Sequence, residues 1–259
     1  MSYENIIYEK RDGVGIVTLN RPEYLNATSP GIHADLIDVF EQMLHDSEVR
    51  VTVLTGNGRA FCAGAYVKDK NKHVVNGPSR VITPRSSPRF LTRLWQYPKP
   101  LISAVNGLAY GEGFNMVLCS DLIVASEEAK FCFPMAKLGI IPNTPGVAGL
   151  ALYVGKARAM EIAMLAKPLE AKDAFNAGLV NRLVSHENLM TEALSIADDL
   201  AGLAPISVWL IKDDLRHSLE HHIDFEGTQM RDILTMMSSD REEGHRAWRE
   251  KRKPVFRGE

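Results

Sequence analysis

In the stretch GLAYGEGFNMVLCSD, residues 107–121, glycines at 111 and 113 flank one ionisable residue, Glu112, where an apolar helical run begins. The first N–H groups of a helix have no intrahelical partners and sit at the positive end of its dipole, so a negative oxygen is favoured there. A second glycine loop, GNGRAFCAGAYVKD at 56–69, follows a buried-strand pattern, and Gly64 frees the N–H of Ala65 to point outward. If the N–H groups of Ala65 and Glu112 converge on one point, they can hold a developing oxyanion, an arrangement whose loss typically costs roughly 3–4 kcal/mol of transition-state stabilisation. Glycine turns also serve plain chain geometry, and the residues alone leave both readings open. Asn115 follows three positions later, an amide where a carboxylate would suit proton transfer.

The elements that must hold these loops alternate. VGIVTLN (14–20), VRVTVLTG (49–56), PLISAVNG (100–107) and DLIVAS (121–126) read as buried strands. Thr28 or Ser29 before Pro30 starts a helix, on which Ile32, Leu36, Ile37, Phe40, Met43 and Leu44 recur at helical spacing. This alternation predicts an α/β fold with largely parallel strands. Residues 69–89, rich in Pro, Ser, Asn and charge, read as an excursion over the fold. After about residue 155 helix signals take over, ending in the amphipathic run DREEGHRAWREKRKPVF, which predicts an all-helical appendage at the C-terminus.

The 259 residues are 45% hydrophobic and 24% charged, enough for a sizeable core, and the formal net charge of −2 provides no field for nucleic acid or an anionic membrane. Cys62, Cys119 and Cys132 lie in apolar runs and read as reduced core thiols. With no signal-peptide core and no run of transmembrane length, the expectation is a soluble cytoplasmic protein without nucleic-acid or membrane partners.

Seven segments in order, LNRPEYLNATS, VTVLTGNGRAFCAGA, PKPLISAVNGLAYGEG, CSDLIVASEEAKFCFPMAKLGIIP, ALYVGKARAMEI, EAKDAFNAGLVNRLV and EKRKPVFRG, resemble the enoyl-CoA hydratase/isomerase (crotonase) superfamily. The resemblance implies a ClpP-like spiral of ββα units over residues 1–198 and a helical region over 199–259 that mediates assembly into a homotrimer or a dimer of trimers. It implies an acyl-CoA substrate, with coenzyme A as part of the substrate and no tightly bound cofactor. By position Ala65 and Glu112 supply the oxyanion N–H donors, the adenine-binding stretch falls on Ala65, Tyr66, Val67 and Lys68, and Ala63 joins the substrate/CoA-binding set. Tyr24 and Leu25 lie where backbone touches the CoA phosphate and ribose region, Gly111 belongs to the oxyanion loop, and Lys251 or Lys253 could reach CoA phosphates, on a neighbouring subunit or not at all.

The departures matter as much. The two glutamates that hydratases of the family use fall on Asn115 and Met135, and a third catalytic position used by other branches falls on Asn143. Neither an amide nor a thioether exchanges a proton near neutral pH, so standard hydration is not expected. Glu112 is the candidate replacement acid or base, unless it turns away and pairs with a lysine or arginine. His33 lies near where a diketone-cleaving hydrolase branch carries an active-site histidine, and could touch a catalytic group or be structural. Asp69 and His73 fit solvated loop polarity better than a site, and His221, His222 and His245 have no ligand-like partners, so no metal is expected. The reading is an isomerase or lyase variant stabilising a thioester enolate. Two alternatives stand beside it: a C–C bond hydrolase acting on a β-diketone without CoA, and a catalytically silent subunit of the same fold.

Overall fold

The computed structural model describes residues 3–66, 89–138, 141–142, 145–221 and 238–259. The expectations placed on Val67, Lys68, Asp69, His73, Asn143 and His222, and on the side chains of His221 and His245, lie outside the described residues.

The chain runs β1 (Ile6–Arg11), β2 (Val14–Leu19), α1 (Pro30–His45), β3 (Val51–Gly56), β4 (Ala60–Cys62), α2 (Arg89–Trp95), β5 (Leu101–Val105), β6 (Leu108–Tyr110), α3 (Glu112–Leu118), β7 (Leu122–Ser126) and β8 (Lys130–Cys132). It continues through α4 (Gly146–Leu165), β9 (Leu169–Glu170), α5 (Ala171–Asn176), β10 (Arg182–Val184), α6 (Leu189–Ala201), α7 (Pro205–His221) and α8 (Ser239–Glu250). Short 3-10 turns at Pro22–Tyr24, Pro134–Leu138 and His186–Asn188 fill three connections. A six-stranded sheet has the order β1-β2-β3-β5-β7-β10 and a four-stranded one the order β4-β6-β8-β9. Pairing is parallel throughout except for β1 with β2 and β8 with β9. The successive pairs β3 and β4, β5 and β6, and β7 and β8 each give one strand to either sheet, which is the spiral of ββα units that the resemblance implied.

The inner strands β2, β3, β5 and β7 of the large sheet are buried on both faces, and that is why they read as continuous apolar runs rather than as alternating ones. Side chains still alternate in direction along each strand. Val51, Val53, Ile102, Ala104 and Val124 pack on one face with Leu189, Ala193 and Ala197 of α6. Leu54, Leu101, Val105, Ile123 and Ala125 point the other way, into the core shared with α1, α2 and α3. Among the described residues no single helix is long and apolar enough to cross a membrane. Cys62, Cys119 and Cys132 are unpaired and buried.

Two features differ from the sequence reading. The region after residue 155 is not all helix, because β9 and β10 return to the two sheets there; strands of two and three residues are too short to show a period. The C-terminal helix stops at Glu250, with Lys251 at φ 53° and Pro254 beyond it, so the charged run does not continue as one helix. The tail folds back instead: the Asp240 carboxylate accepts the N–H groups of Arg257 at 2.6 Å and Gly258 at 2.8 Å, and Glu243 takes Arg252 and the N–H of Val255.

Candidate active site

The first turn of α1 meets the start of α3 through the loop after β4. Ser29 caps α1, its hydroxyl accepting the N–H of Ile32 at 3.3 Å, so the neighbouring Thr28 is free for other work. Thr28 pairs as an isolated parallel bridge with Ala65: its N–H donates to the Gly64 carbonyl at 2.8 Å, and its carbonyl accepts the Tyr66 N–H at 3.0 Å. In that pattern Thr28 is bonded to the residues on either side of Ala65, and the N–H of Ala65 itself turns away from Thr28.

The Gly64 turn abuts the start of α3. Gly64 has φ +92°, and a Cβ there would lie 2.9 Å from the Tyr110 carbonyl oxygen and 3.6 Å from the Glu112 nitrogen. A Cβ on Gly113 would come within 2.2 Å of the Cys62 carbonyl oxygen, so α3 can seat against β4 only with glycine at that place. The two glycines therefore bring the Ala65 loop and the Glu112 N-terminus together. Gly111 completes the turn, its N–H held by the Cys132 carbonyl at 2.8 Å.

The Glu112 side chain is only 8% exposed, and its two oxygens are both engaged. Thr28 Oγ1 donates to Oε2 at 2.6 Å, and Oε1 lies 2.7 Å from Nε2 of His33. Its ion-pair partner among the described residues is thus a histidine rather than a lysine or arginine. With the Thr28 proton committed to Oε2, the Oε1–Nε2 line holds one proton, either as N–H donating to a carboxylate or as a carboxyl O–H donating to the ring. A group that can hold or give up one proton at short range is what general acid–base chemistry needs. The His33 side chain is half-buried and stacks on Phe90, ring centroids 5.7 Å apart and planes 22° apart, which fixes the ring and leaves the pair an edge toward solvent.

Below the dyad, Cys62 offers no nucleophile. Burial pushes its thiol up to about 12, the Gly64 N–H on Sγ only partly opposing this, so it stays a neutral thiol at physiological pH.

Asn115 is fully buried one turn further along α3. Its Oδ1 accepts the Gly146 N–H at 3.0 Å, while its Nδ2 has no partner among the described residues. The Met135 methyl lies 3.4 Å from where a Cβ on Gly111 would stand, so an apolar thioether closes that side of the turn. No cluster of three or more His, Cys, Asp or Glu side chains gathers as a metal site among the described residues.

The loops assigned to CoA also come together. The Leu25 carbonyl accepts the Ala63 N–H at 3.0 Å, with Leu25 itself left-handed at φ 53°. The Tyr24 and Tyr66 rings, both exposed, meet edge to face at 5.4 Å, and the Arg21 guanidinium lies 4.4 Å from the Tyr24 ring centre. Lys251 and Lys253 are exposed beyond α8, with no hydrogen bond or ion pair to these loops among the described residues. Thr28 was not read as a site residue, whereas Phe90 belongs to the FLTRLWQ stretch (90–96) that reads as an aromatic and apolar wall. A threonine beside a capping serine signals only a helix start, and its bond to Glu112 spans 84 positions.

The enoyl-CoA hydratase/isomerase family model matches residues 9–259. The chain is 36% identical to the 1,2-epoxyphenylacetyl-CoA isomerase of Escherichia coli K12, over 98% of this chain and 99% of that protein. It is 33% identical to the 2,3-dehydroadipyl-CoA hydratase of the same organism, over 98% of both. The solved structure of an enoyl-CoA hydratase subunit I from Geobacillus kaustophilus HTA426 superposes with TM-score 0.90 at 38% identity, covering 99% of each chain. That of an enoyl-CoA hydratase from Mycobacterium tuberculosis H37Rv superposes with TM-score 0.88 at 31% identity, covering 98% of this chain and 99% of that one. Fold, motifs and matched length agree: the chain belongs to the enoyl-CoA hydratase/isomerase family, with the crotonase fold.

Proposed function

We propose that the protein takes an acyl-CoA thioester, holds its carbonyl oxygen with the N–H groups of Ala65 and Glu112, and moves one proton with the Glu112 side chain. The reaction class is then isomerisation or a lyase step rather than standard hydration. The observation that carries this reading is the chain Thr28–Glu112–His33, a buried carboxyl held on both oxygens beside the oxyanion loop.

Removing a proton from the carbon next to a thioester leaves charge on the carbonyl oxygen, and two preorganised N–H donors lower that barrier directly. One carboxyl can take the proton at the α-carbon and return it further along the conjugated chain, so a double-bond shift needs a single acid–base group. Hydration needs a second group to activate water. Asn115 and Met135, which hold the positions of the family's two glutamates, cannot serve. In this account His33 orients the carboxyl and links its proton to solvent.

The relatives named for CoA thioesters support the substrate class. So do the paired loops of Tyr24, Leu25, Ala63 and Tyr66, where exposed rings suit a base and Arg21 a phosphate. CoA enters as part of the substrate, and the reaction calls for no resident cofactor. The same reading divides the chain into a spiral over residues 1–198 and an assembly region over 199–259 that builds a homotrimer or a dimer of trimers. Its support is the exposed Ile211, Leu215 and Leu219 on α7. Lys251 and Lys253 then serve a CoA phosphate from the oligomer. Three unpaired cysteines suit a cytoplasmic, reducing setting.

The His33–Glu112 contact also favours a second reading, hydrolysis of a C–C bond in a free β-diketone, because a histidine on a carboxylate can activate water. A silent subunit is the third. Calorimetric titration with butyryl-CoA separates the first from the second: micromolar binding is expected, and binding of a free β-diketone with none of CoA thioesters would overturn the acyl-CoA assignment. Turnover of any acyl-CoA by the wild type disposes of the silent reading.

A further inference from the structure

Helix α8 ends on a strained lysine. Lys251 has φ 53°, the left-handed conformation that commonly closes a helix and that glycine enters without strain. A side chain held there costs about 1–3 kcal/mol and persists only where its surroundings leave the chain no alternative. Here the surroundings are set by one carboxylate.

Glu243 lies on α8 before that turn and is buried. Its Oε1 accepts Nη1 of Arg252 at 2.6 Å and the Val255 N–H at 2.9 Å, and its Oε2 accepts Nη2 of Arg252 at 3.0 Å. Arg246 donates to Oε2 as well. A guanidinium fork on both oxygens fixes direction as well as distance, so the chain after Glu250 has to turn back at Lys251. The tail beyond is tied to the spiral separately, by Arg50 donating to the Phe256 carbonyl at 2.7 Å. Arg252 is thus engaged within the fold, whereas Lys251 and Lys253 are exposed, without a hydrogen bond or ion pair among the described residues. A glycine would stop the helix without strain; what the lysine adds is a free ammonium on a fixed backbone.

We propose that Glu243 is a positioning residue for coenzyme A: by clamping Arg252 and Val255 it holds Lys251, rather than Lys253, where its ammonium meets a CoA phosphate. This rests on the acyl-CoA reading above and narrows its choice between the two lysines. Glu243 itself touches no substrate. A backbone already fixed loses less freedom when its ammonium engages a phosphate, which strengthens binding.

The test is calorimetric titration of butyryl-CoA into the wild type, Glu243→Gln, Lys251→Gly, Lys253→Ala and the double variant of Glu243→Gln with Lys251→Gly. Glu243→Gln keeps an acceptor for Val255 and removes the charge that holds Arg252. It and Lys251→Gly are each expected to raise the Kd roughly five- to tenfold, and Lys253→Ala by less than about twofold. In the double variant the Kd is expected to stay at that of Lys251→Gly, because Glu243 acts only through the lysine. The Kd of butyryl-pantetheine, which lacks the nucleotide phosphates, is expected to be the same throughout. A wild-type Kd in Lys251→Gly overturns the proposal, and so does a further loss when Glu243→Gln is added to it. An equal loss of affinity for butyryl-pantetheine overturns it too, and in each of these cases the acyl-CoA reading stands. Failure of the wild type to bind butyryl-CoA overturns both. Should Glu243→Gln not fold, Lys251→Gly against Lys253→Ala still decides.

Discussion

Nε2 of His33 lies 2.7 Å from Oε1 of Glu112, although 79 positions separate them. Helix α1 brings the ring and helix α3 the carboxyl, and the loop between Cys62 and Tyr66 holds the two helix starts in register through Thr28. The arrangement turns the side chain that interrupts a glycine loop into a buried carboxyl held on both oxygens, the group to which the proposed function gives the proton transfer.

Because Thr28 donates to Glu112 at 2.6 Å inside the core, Thr28→Val leaves one carboxyl oxygen buried without a donor. The expected cost is about 1–3 kcal/mol, seen as a fall in Tm of roughly 3–10 °C for a chain of this size. A Tm unchanged within a degree would mean that the bond adds nothing to stability.

His33 is predicted to act through Glu112 rather than on substrate. His33→Phe keeps an aromatic ring against Phe90 but removes Nε2. Turnover is expected to fall roughly 10- to 100-fold with little change in the Kd for butyryl-CoA, and His33→Gln to recover part of the loss. A variant that loses affinity instead of rate would place His33 in substrate binding.

Gly64→Ala tests the oxyanion loop. A methyl at φ +92° would press on the Tyr110 carbonyl oxygen at 2.9 Å and push Ala65 from the Glu112 N–H. Stability should drop by about 1–3 kcal/mol. If the hole moves, kcat should fall by a further factor of roughly 100–1000. Steady-state kinetics together with denaturant unfolding measure the two effects separately.

Cys62 carries a pH dependence. Its thiol is raised from 9.0 to about 12 by burial, so the folded state binds the proton more tightly than the unfolded chain. The stability from this group is fully present below about pH 9 and is lost as pH climbs toward about 12. Urea unfolding between pH 8 and 11 should show midpoints that decline only above 9, and a thiol reagent at pH 8 should label the folded protein slowly and the unfolded one at all three cysteines.

Much of this architecture was legible from the residues. The inner strands of the large sheet, β2, β3, β5 and β7, are buried on both faces and therefore written as unbroken apolar runs, and the α1 start carries both a capping serine and a first-turn proline. The small sheet was not, because strands of two or three residues such as β4, β6, β8 and β9 leave no period to read. Nor could the sequence place the Glu112 side chain. Whether a carboxyl in a glycine loop faces a pocket or a lysine depends on contacts across 84 and 79 positions, with Thr28 and His33, that no local pattern encodes. The orphaned donor of Asn115 was likewise invisible, since it arises only because Gly146 claims the other end of the amide.

In the proposed function the Glu112 carboxyl moves the proton while its N–H helps hold the oxygen. The most direct test is deuterium incorporation at the α-carbon of 3-butenoyl-CoA in D2O, followed by NMR for wild type and Glu112→Gln, with binding of butyryl-CoA measured for both. The Gln variant keeps the backbone N–H and the side-chain shape, so it should bind within about threefold of wild type yet exchange at least 100-fold more slowly. Exchange at the wild-type rate in Glu112→Gln would contradict the claim and assign the proton to another group.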